Sequence, residues 1–275
     1  LNATILIKGN FKVNKPINFE LISLNEKNNK ISFKNLNLRH DFKVMNIDSF
    51  ELNYLNSNKV INQLSLKKDN SNYIIEGKSF DATKLINKVM DSEDENLSLF
   101  ANFNSKINIE IKKTHMDEIN FMNNLSGALK FKNNKIMDLD LKAFYPNNKK
   151  ISLSIKINER NEKVTKLSTD YPKPLIQRYK FINGFEDGFL VYQSVKKNGV
   201  SNALLTIDNF KVKKVPAFAK LLSLASLQGI ADLLTGEGIR FTDFEMNFSN
   251  KKKLTTIEEM YAIGPAVSIL MDGYI

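Results

Sequence analysis

The two histidines, His40 and His115, are the side chains best suited to acid–base or metal chemistry at neutral pH. Neither stands near a second metal-ligating residue at a spacing typical of a metal site. The chain contains no cysteine, which excludes disulfides, thiolate zinc sites and cysteine nucleophiles. We therefore interpret both histidines as surface residues and predict no metal.

Neighbouring carboxylates are the next candidates for catalysis. Asp138 and Asp140 would share the polar face of a strand, where water solvates them, and Glu186 adjoins Asp187. A general acid needs a pKa raised by burial, which nothing in these segments predicts. Residues 236–241 begin like a dinucleotide-binding fingerprint, but the third glycine and the following helix are missing. The sequence therefore predicts no catalytic residue, no cofactor and no enzymatic activity.

The charge of the chain is strongly positive, with a formal net value of +10 and an isoelectric point of about 9.4. Lysine is spread along the sequence together with asparagine and isoleucine, and no arginine-rich tract occurs. A nucleic-acid footprint requires positive charge gathered on one face. We predict no nucleic-acid partner, whereas attraction to anionic lipid headgroups is compatible with this charge.

Alternation of apolar and polar residues is the dominant pattern, as in residues 107–111 and 151–157. Clusters of Asn, Asp, Lys and Gly separate the alternating runs at short intervals, which is typical of antiparallel strands. The alternation breaks between Phe33 and Leu36, which predicts a bulge. The predicted fold is mostly β: an elongated antiparallel sheet, twisted and curved like a groove, with few short helices. The apolar face of this sheet must be covered by a second layer, by helices or by a ligand.

Three short helical segments are predicted. Asp81 can cap a helix near 81–90, and a second helix begins near Pro172. The longest, at 216–234, is amphipathic, and its apolar stripe contains Phe218, Leu221, Leu222, Leu224, Leu227 and Ile230. It either packs over the edge of the sheet or meets membrane lipid and gates an apolar groove. No apolar run approaches the ~18 residues of a membrane-spanning helix, so we expect any anchor to lie outside this sequence.

The C-terminal third carries motifs that, in combination, resemble a known family. Residues 205–212, 215–230, 234–241 and 262–266 are similar to the C-terminal region of AsmA-like proteins, in the YhdP and TamB group. The resemblance covers 165–275. Residues 1–164 share with the family only their succession of alternating strands. Where that group has a glycine pair, this sequence keeps Gly184 alone. We therefore divide the chain into a β-sheet repeat region, 1–164, and an AsmA-like C-terminal region, 165–275.

The resemblance implies a periplasm-facing β-groove of the bacterial cell envelope that shelters phospholipid or conducts it between the inner and outer membranes. It also implies an inner-membrane anchor outside this chain. Burying a methylene contributes ~0.8 kcal/mol, so an apolar groove can hold lipid without specific polar contacts. The groove candidates are inward-facing residues of the alternating strands: Ile107, Ile109, Ile111, Ile151, Leu153, Ile155, Leu205, Ile207 and Phe248.

Two other functions are compatible with the same strands. A structural scaffold or assembly factor for outer-membrane biogenesis would close its β-layer with protein and bind other envelope proteins. An enzyme or sugar-binding β-domain would need a pocket with convergent polar groups. The lipid and scaffold hypotheses differ in whether the apolar face is accessible or filled by opposing side chains.

Overall fold

The computed structural model describes residues 2–13, 15–57, 59–86, 100–178, 184–213, 238–252, 254–265 and 267–274. Strands make up 71% of these residues and the helices among them are two short ones, which confirms the predicted mostly-β fold. The chain divides into two compact units, Leu1–Asn147 and Asn148–Ile275. The sequence-based boundary lay at 164/165, whereas residues 150–157 pair with strands of the second unit.

The first unit contains ten strands, most of which pair with the next strand in sequence. They are β1 (Ala3–Asn10), β2 (Ile17–Glu26), β3 (Asn29–Leu38), β4 (Val44–Asn46), β5 (Ser49–Leu55), β6 (Ile61–Asp69), β7 (Asn72–Asp81), β8 (Lys106–His115), β9 (Phe121–Lys132) and β10 (Lys135–Phe144). β3 pairs with both β4 and β5. The pairs are antiparallel, as predicted, except that β7 and β8 are parallel. Parallel neighbours need a crossover of a dozen or more residues, and 82–105 provide it.

The break in alternation predicted near residue 35 is present. Asn35 has a φ of 48°, a left-handed conformation that asparagine tolerates better than most residues. Its side-chain amide donates a hydrogen bond to Asp48 at 2.8 Å. Phe33 and Leu36, on either side, both pack in one hydrophobic core although they are three residues apart. The pairing of β3 passes from β5 to β4 at this point.

The core of the first unit is built around Phe103. The Phe103 ring centroid lies 5.5 Å from Tyr73, 4.6 Å from Phe100 and 5.2 Å from Phe131. Asn134 fixes residues 100–103, because its side chain accepts a hydrogen bond from the Phe103 amide and donates one to the Phe100 carbonyl. Phe100 and Phe103, which precede β8 in sequence, are therefore part of the core.

The second unit contains seven strands that pair antiparallel in sequence order. They are β11 (Lys150–Ile157), β12 (Lys163–Thr169), β13 (Phe185–Lys197), β14 (Val200–Val212), β15 (Ile239–Lys251), β16 (Leu254–Ile263) and β17 (Ser268–Tyr274). Phe210 stacks between Phe185 and Phe241, with ring centroids 5.2 and 5.1 Å away. Ile176 joins this core from the helix at Lys173–Arg178.

Two of the three predicted helices lie at least partly within the described residues. Helix α1, described at 83–86, begins as predicted, because the Asp81 carboxylate accepts a hydrogen bond from the Thr83 amide at 3.0 Å. Helix α2 (Lys173–Arg178) confirms the helix predicted near Pro172. Residues 216–234, with the whole predicted apolar stripe, and the end of the 81–90 helix lie outside the described residues. Within the described part of the chain, no helix is long and apolar enough to span a membrane.

The aromatic core of the second unit predicts a contrast between two phenylalanines of β13. Phe185 is fully buried, whereas Phe189 is 41% exposed. Phe185→Ala should lower the free energy of unfolding by ~3–5 kcal/mol, because it leaves a cavity beside Phe210. Phe189→Ala should lower it by less than about 1 kcal/mol. Urea unfolding followed by circular dichroism measures both, and equal losses would contradict the packing described.

The cap of α1 predicts a pH-dependent contribution to stability. Burial raises the pKa of Asp81, but hydrogen bonds from Thr83 and Asn56 and the charge of His115 bring it below its usual value. A lowered carboxyl pKa stabilises the fold above pH ~4, and this stability is lost as the pH falls through that pKa. Asp81→Ala should therefore cost ~1 kcal/mol at pH 7 and less at pH 2.5. Chemical unfolding at both pH values tests this, with exposed Asp272→Ala as the control; a loss that is unchanged at low pH would contradict it.

Candidate functional site

Strand register in the second unit aligns side chains into rows that cross the sheet. Because alternate residues face the same side, three of these rows together form one face, which we call the apolar face of the second unit. The inner row contains Ile151, Thr169, Leu190, Ile207, Phe244, Ala262 and Ile269; the central row contains Leu153, Leu167, Tyr192, Leu205, Met246, Met260 and Met271; the outer row contains Ile155, Thr165, Ser194, Ala203, Phe248, Ile257 and Gly273. Seven strands at ~4.8 Å spacing make each row roughly 29 Å long.

The inner row is more buried than the central and outer rows. In the inner row Ile207 is only 3% exposed, and Leu190 and Phe244 are buried in the aromatic core. Most of the central row is half-buried, and Met271 at its end is 52% exposed. The accessible apolar surface therefore belongs to the central and outer rows.

Six of the nine predicted groove residues lie on this face. Ile151 and Ile207 are in the inner row and buried, whereas Leu153, Leu205, Ile155 and Phe248 are half-buried in the central and outer rows. The other three, Ile107, Ile109 and Ile111, share the apolar face of β8 in the first unit. There Ile111 is buried and its two neighbours are half-buried. Accordingly, six of the nine offer partial surface to a ligand.

A concavity of about 840 Å³ crosses β5 to β9 in the first unit. Its lining comes mainly from the polar members of the alternating strands: Lys30, Glu51, Asn53, Gln63, Ser65, Lys67, Glu76, Lys78, Glu110, Lys112, Asn124 and Ser126. Of the nine groove candidates only Ile111 is among its described lining residues.

Both acidic and basic side chains line this concavity. Lys30 Nζ lies 3.5 Å from Glu51 Oε2, and Glu51, Ser65 and Glu76 follow one another in register. Glu76 stands directly opposite Glu110 on the parallel strand β8. All of these side chains except Ser65 are exposed, so solvent screens the interactions between them.

The histidines and paired carboxylates do not form a catalytic arrangement among the described residues. Burial lowers the pKa of His115, the charge of Lys113 lowers it further, and Asp81 opposes both. Lys113 Nζ lies 3.9 Å from the centre of the Phe121 ring, which contacts the imidazole. His40 is exposed. In the described part of the chain, no group of three His, Asp or Glu side chains could hold a metal ion.

Glu186, one of the paired carboxylates, takes part in an ion pair. Its carboxylate lies 2.8 Å from Lys213 Nζ and 3.8 Å from Lys173 Nζ. The hydrogen bond from Lys213 lowers the pKa of Glu186, so this group stays ionised rather than serving as a general acid. Asp138 and Asp140 are exposed on β10, as predicted.

The central row includes residues that sequence reasoning missed. Leu167, Tyr192, Met246 and Met260 continue the line of Leu153 across the sheet. Alternation indicates which residues of one strand share a face, but not which residues of two strands stand opposite each other. The alternating apolar residues Phe244, Met246 and Phe248 indicate a shared strand face from sequence alone, although only Phe248 was predicted to line the groove.

Comparison of the chain with protein-family models, with curated proteins and with solved structures found no match. The resemblance of 165–275 to AsmA-like proteins therefore stays a prediction from motifs.

Proposed function

We propose that this chain is a non-enzymatic segment of a bacterial envelope protein that shelters phospholipid, or conducts it between the inner and outer membranes. The acyl chains lie on the apolar face of the second unit. The observation that carries the proposal is the central row, in which seven apolar side chains stand in register across every strand and most are half-buried. An apolar surface of this length needs a cover, and an acyl chain is a cover of matching chemistry.

The binding energy of such a surface does not require polar contacts. Each methylene removed from water contributes ~0.8 kcal/mol, so about six methylenes on the central row would contribute ~5 kcal/mol. Met246, Met260 and Met271 occupy one end of that row. Methionine is flexible and polarisable, so it adapts to chains that differ in length and unsaturation.

Placement in the envelope is supported by the motif resemblance across 165–275 and by the positive charge of the chain. A net charge of +10 favours approach to anionic membrane surfaces. In this proposal the partners are phospholipid, the membrane surface and other envelope proteins, and an inner-membrane anchor lies outside this sequence.

A structural scaffold or assembly factor for outer-membrane biogenesis is the second candidate. The observation that favours it is the burial of Ile111, Ile151 and Ile207, three residues of the predicted groove that present little surface. If opposing protein covered the remaining rows as well, the sheet would bind partners rather than lipid. The two candidates differ in whether phospholipid accompanies the purified protein.

The lipid proposal predicts that a charge on the central row expels bound phospholipid. Leu153→Asp would place a carboxylate among acyl methylenes, where an unpaired charge is strongly unfavourable. We expect phospholipid per protein, measured by native mass spectrometry and lipid extraction, to fall at least severalfold. Met271→Asp probes the same row at a position already 52% exposed, with less effect on folding.

The matched control is Ser154→Asp, which adds the same charge to the same strand on the opposite face. It should retain the lipid of the original protein. Absence of phospholipid from the original protein, or equal loss in Leu153→Asp and Ser154→Asp, would contradict the proposal and favour the scaffold. Circular dichroism establishes that each variant is folded.

A further inference from the structure

Three hairpin turns lie at the same end of the second unit, because alternate turns of an antiparallel sheet share one end. They connect β11 to β12, β13 to β14 and β15 to β16. The described residues of 156–163, 196–200, 250–252 and 254–255 form what we call the basic end. It carries seven basic side chains, Lys156, Arg160, Lys163, Lys196, Lys197, Lys251 and Lys252, and two acidic ones, Glu159 and Glu162. Folding thus gathers charge that is scattered along the sequence.

The acidic side chains at the basic end offset only part of this charge. Glu162 lies 3.0 Å from Lys197 Nζ and accepts a hydrogen bond from Asn158. Hydrogen bonds from Asn158 and Lys197 lower the pKa of Glu162, so it is ionised and already engaged. The net charge of the described turns therefore remains positive.

Two lysines of the basic end adjoin the apolar face. Lys163 on β12 stands directly opposite Lys196 on β13, in the row immediately beyond the outer row. An anion placed between the two ammonium groups would interact favourably with both. A phospholipid whose acyl chains lie on the apolar face would bring its phosphate to this position.

An apolar side chain stands among the lysines. Leu254 is 52% exposed and pairs with Lys251 at the tip of the β15–β16 hairpin, beside Lys252. Lysines around an exposed leucine suit the boundary between headgroups and acyl chains. These features favour a lipid surface as the partner.

We propose that the basic end is where this protein contacts an anionic phospholipid surface, with Lys163 and Lys196 binding a headgroup phosphate. The inference rests on the proposed function, since it takes phospholipid as the ligand. Clusters of about four to eight basic residues are typical of sites that bind anionic lipid. Contact at this end places the outer row next to the membrane from which a lipid would enter.

Vesicle binding tests the contact. The protein is mixed with vesicles of phosphatidylcholine alone or with added phosphatidylglycerol, and the bound fraction is measured by sedimentation. We expect binding only to the anionic vesicles, and weaker binding as salt increases. Replacing Lys163, Lys196, Lys251 and Lys252 by Ser should reduce the partition coefficient by roughly 500- to 1,000-fold. The control replaces Lys8, Lys12, Lys34 and Lys132, four exposed lysines of the first unit, and should change it less than about threefold.

Three outcomes would overturn the inference. The first is an equal loss of vesicle binding in the two four-lysine variants. The second is equal binding of the original protein to neutral and anionic vesicles. The third is tighter binding to a single-stranded oligonucleotide than to vesicles, abolished by the four turn substitutions. Co-purified phospholipid, measured in parallel, separates this inference from the proposed function. Vesicle binding that fails while Leu153→Asp still expels lipid would overturn the membrane contact alone. Vesicle binding that depends on the turn lysines, in a protein without co-purified lipid, would overturn the lipid-sheltering function instead.

Discussion

Cross-strand register is the constraint on which the rest of this structure depends. A slip of one residue would move every side chain of a strand to the opposite face, so the apolar rows exist only in one pairing. Turn residues specify that pairing locally. Asn198 and Gly199 form the two-residue turn between β13 and β14, with φ values of 51° and 77°. Asn-Gly is strongly preferred in such turns, and it sets Lys197 opposite Val200.

The register of the second unit divides one sheet face into zones of different chemistry. The aromatic core buries the inner row, while the central and outer rows keep partial exposure. Beyond the outer row, Lys163 stands opposite Lys196. Accessible apolar side chains therefore lie directly beside this pair of lysines, as acyl carbons lie beside the phosphate in a phospholipid. The correspondence is the physical basis of both functional proposals.

Sequence reasoning predicted the features that depend on neighbouring residues. Alternation identified the strands, Asp81 identified the start of α1, and the broken parity beside Asn35 identified the irregularity of β3. It did not predict the parallel pairing of β7 with β8 or the gathering of lysines in three turns. These depend on contacts between residues far apart in sequence, which a periodic pattern does not specify. The same reason explains why Leu167 and Met260 were missed, although Leu153 and Leu205 of the same row were predicted.

Adjacent leucines on β14 allow the most direct test of the central claim. Leu205 belongs to the central row, whereas Leu204 faces the opposite side of the sheet. Photo-crosslinking in bacterial cells, with p-benzoylphenylalanine in place of either leucine, reports what each face touches. The account predicts phospholipid adducts from position 205 and few or none from position 204. Equal lipid adducts at both positions, or adducts to protein alone at position 205, would contradict the claim that this face shelters lipid.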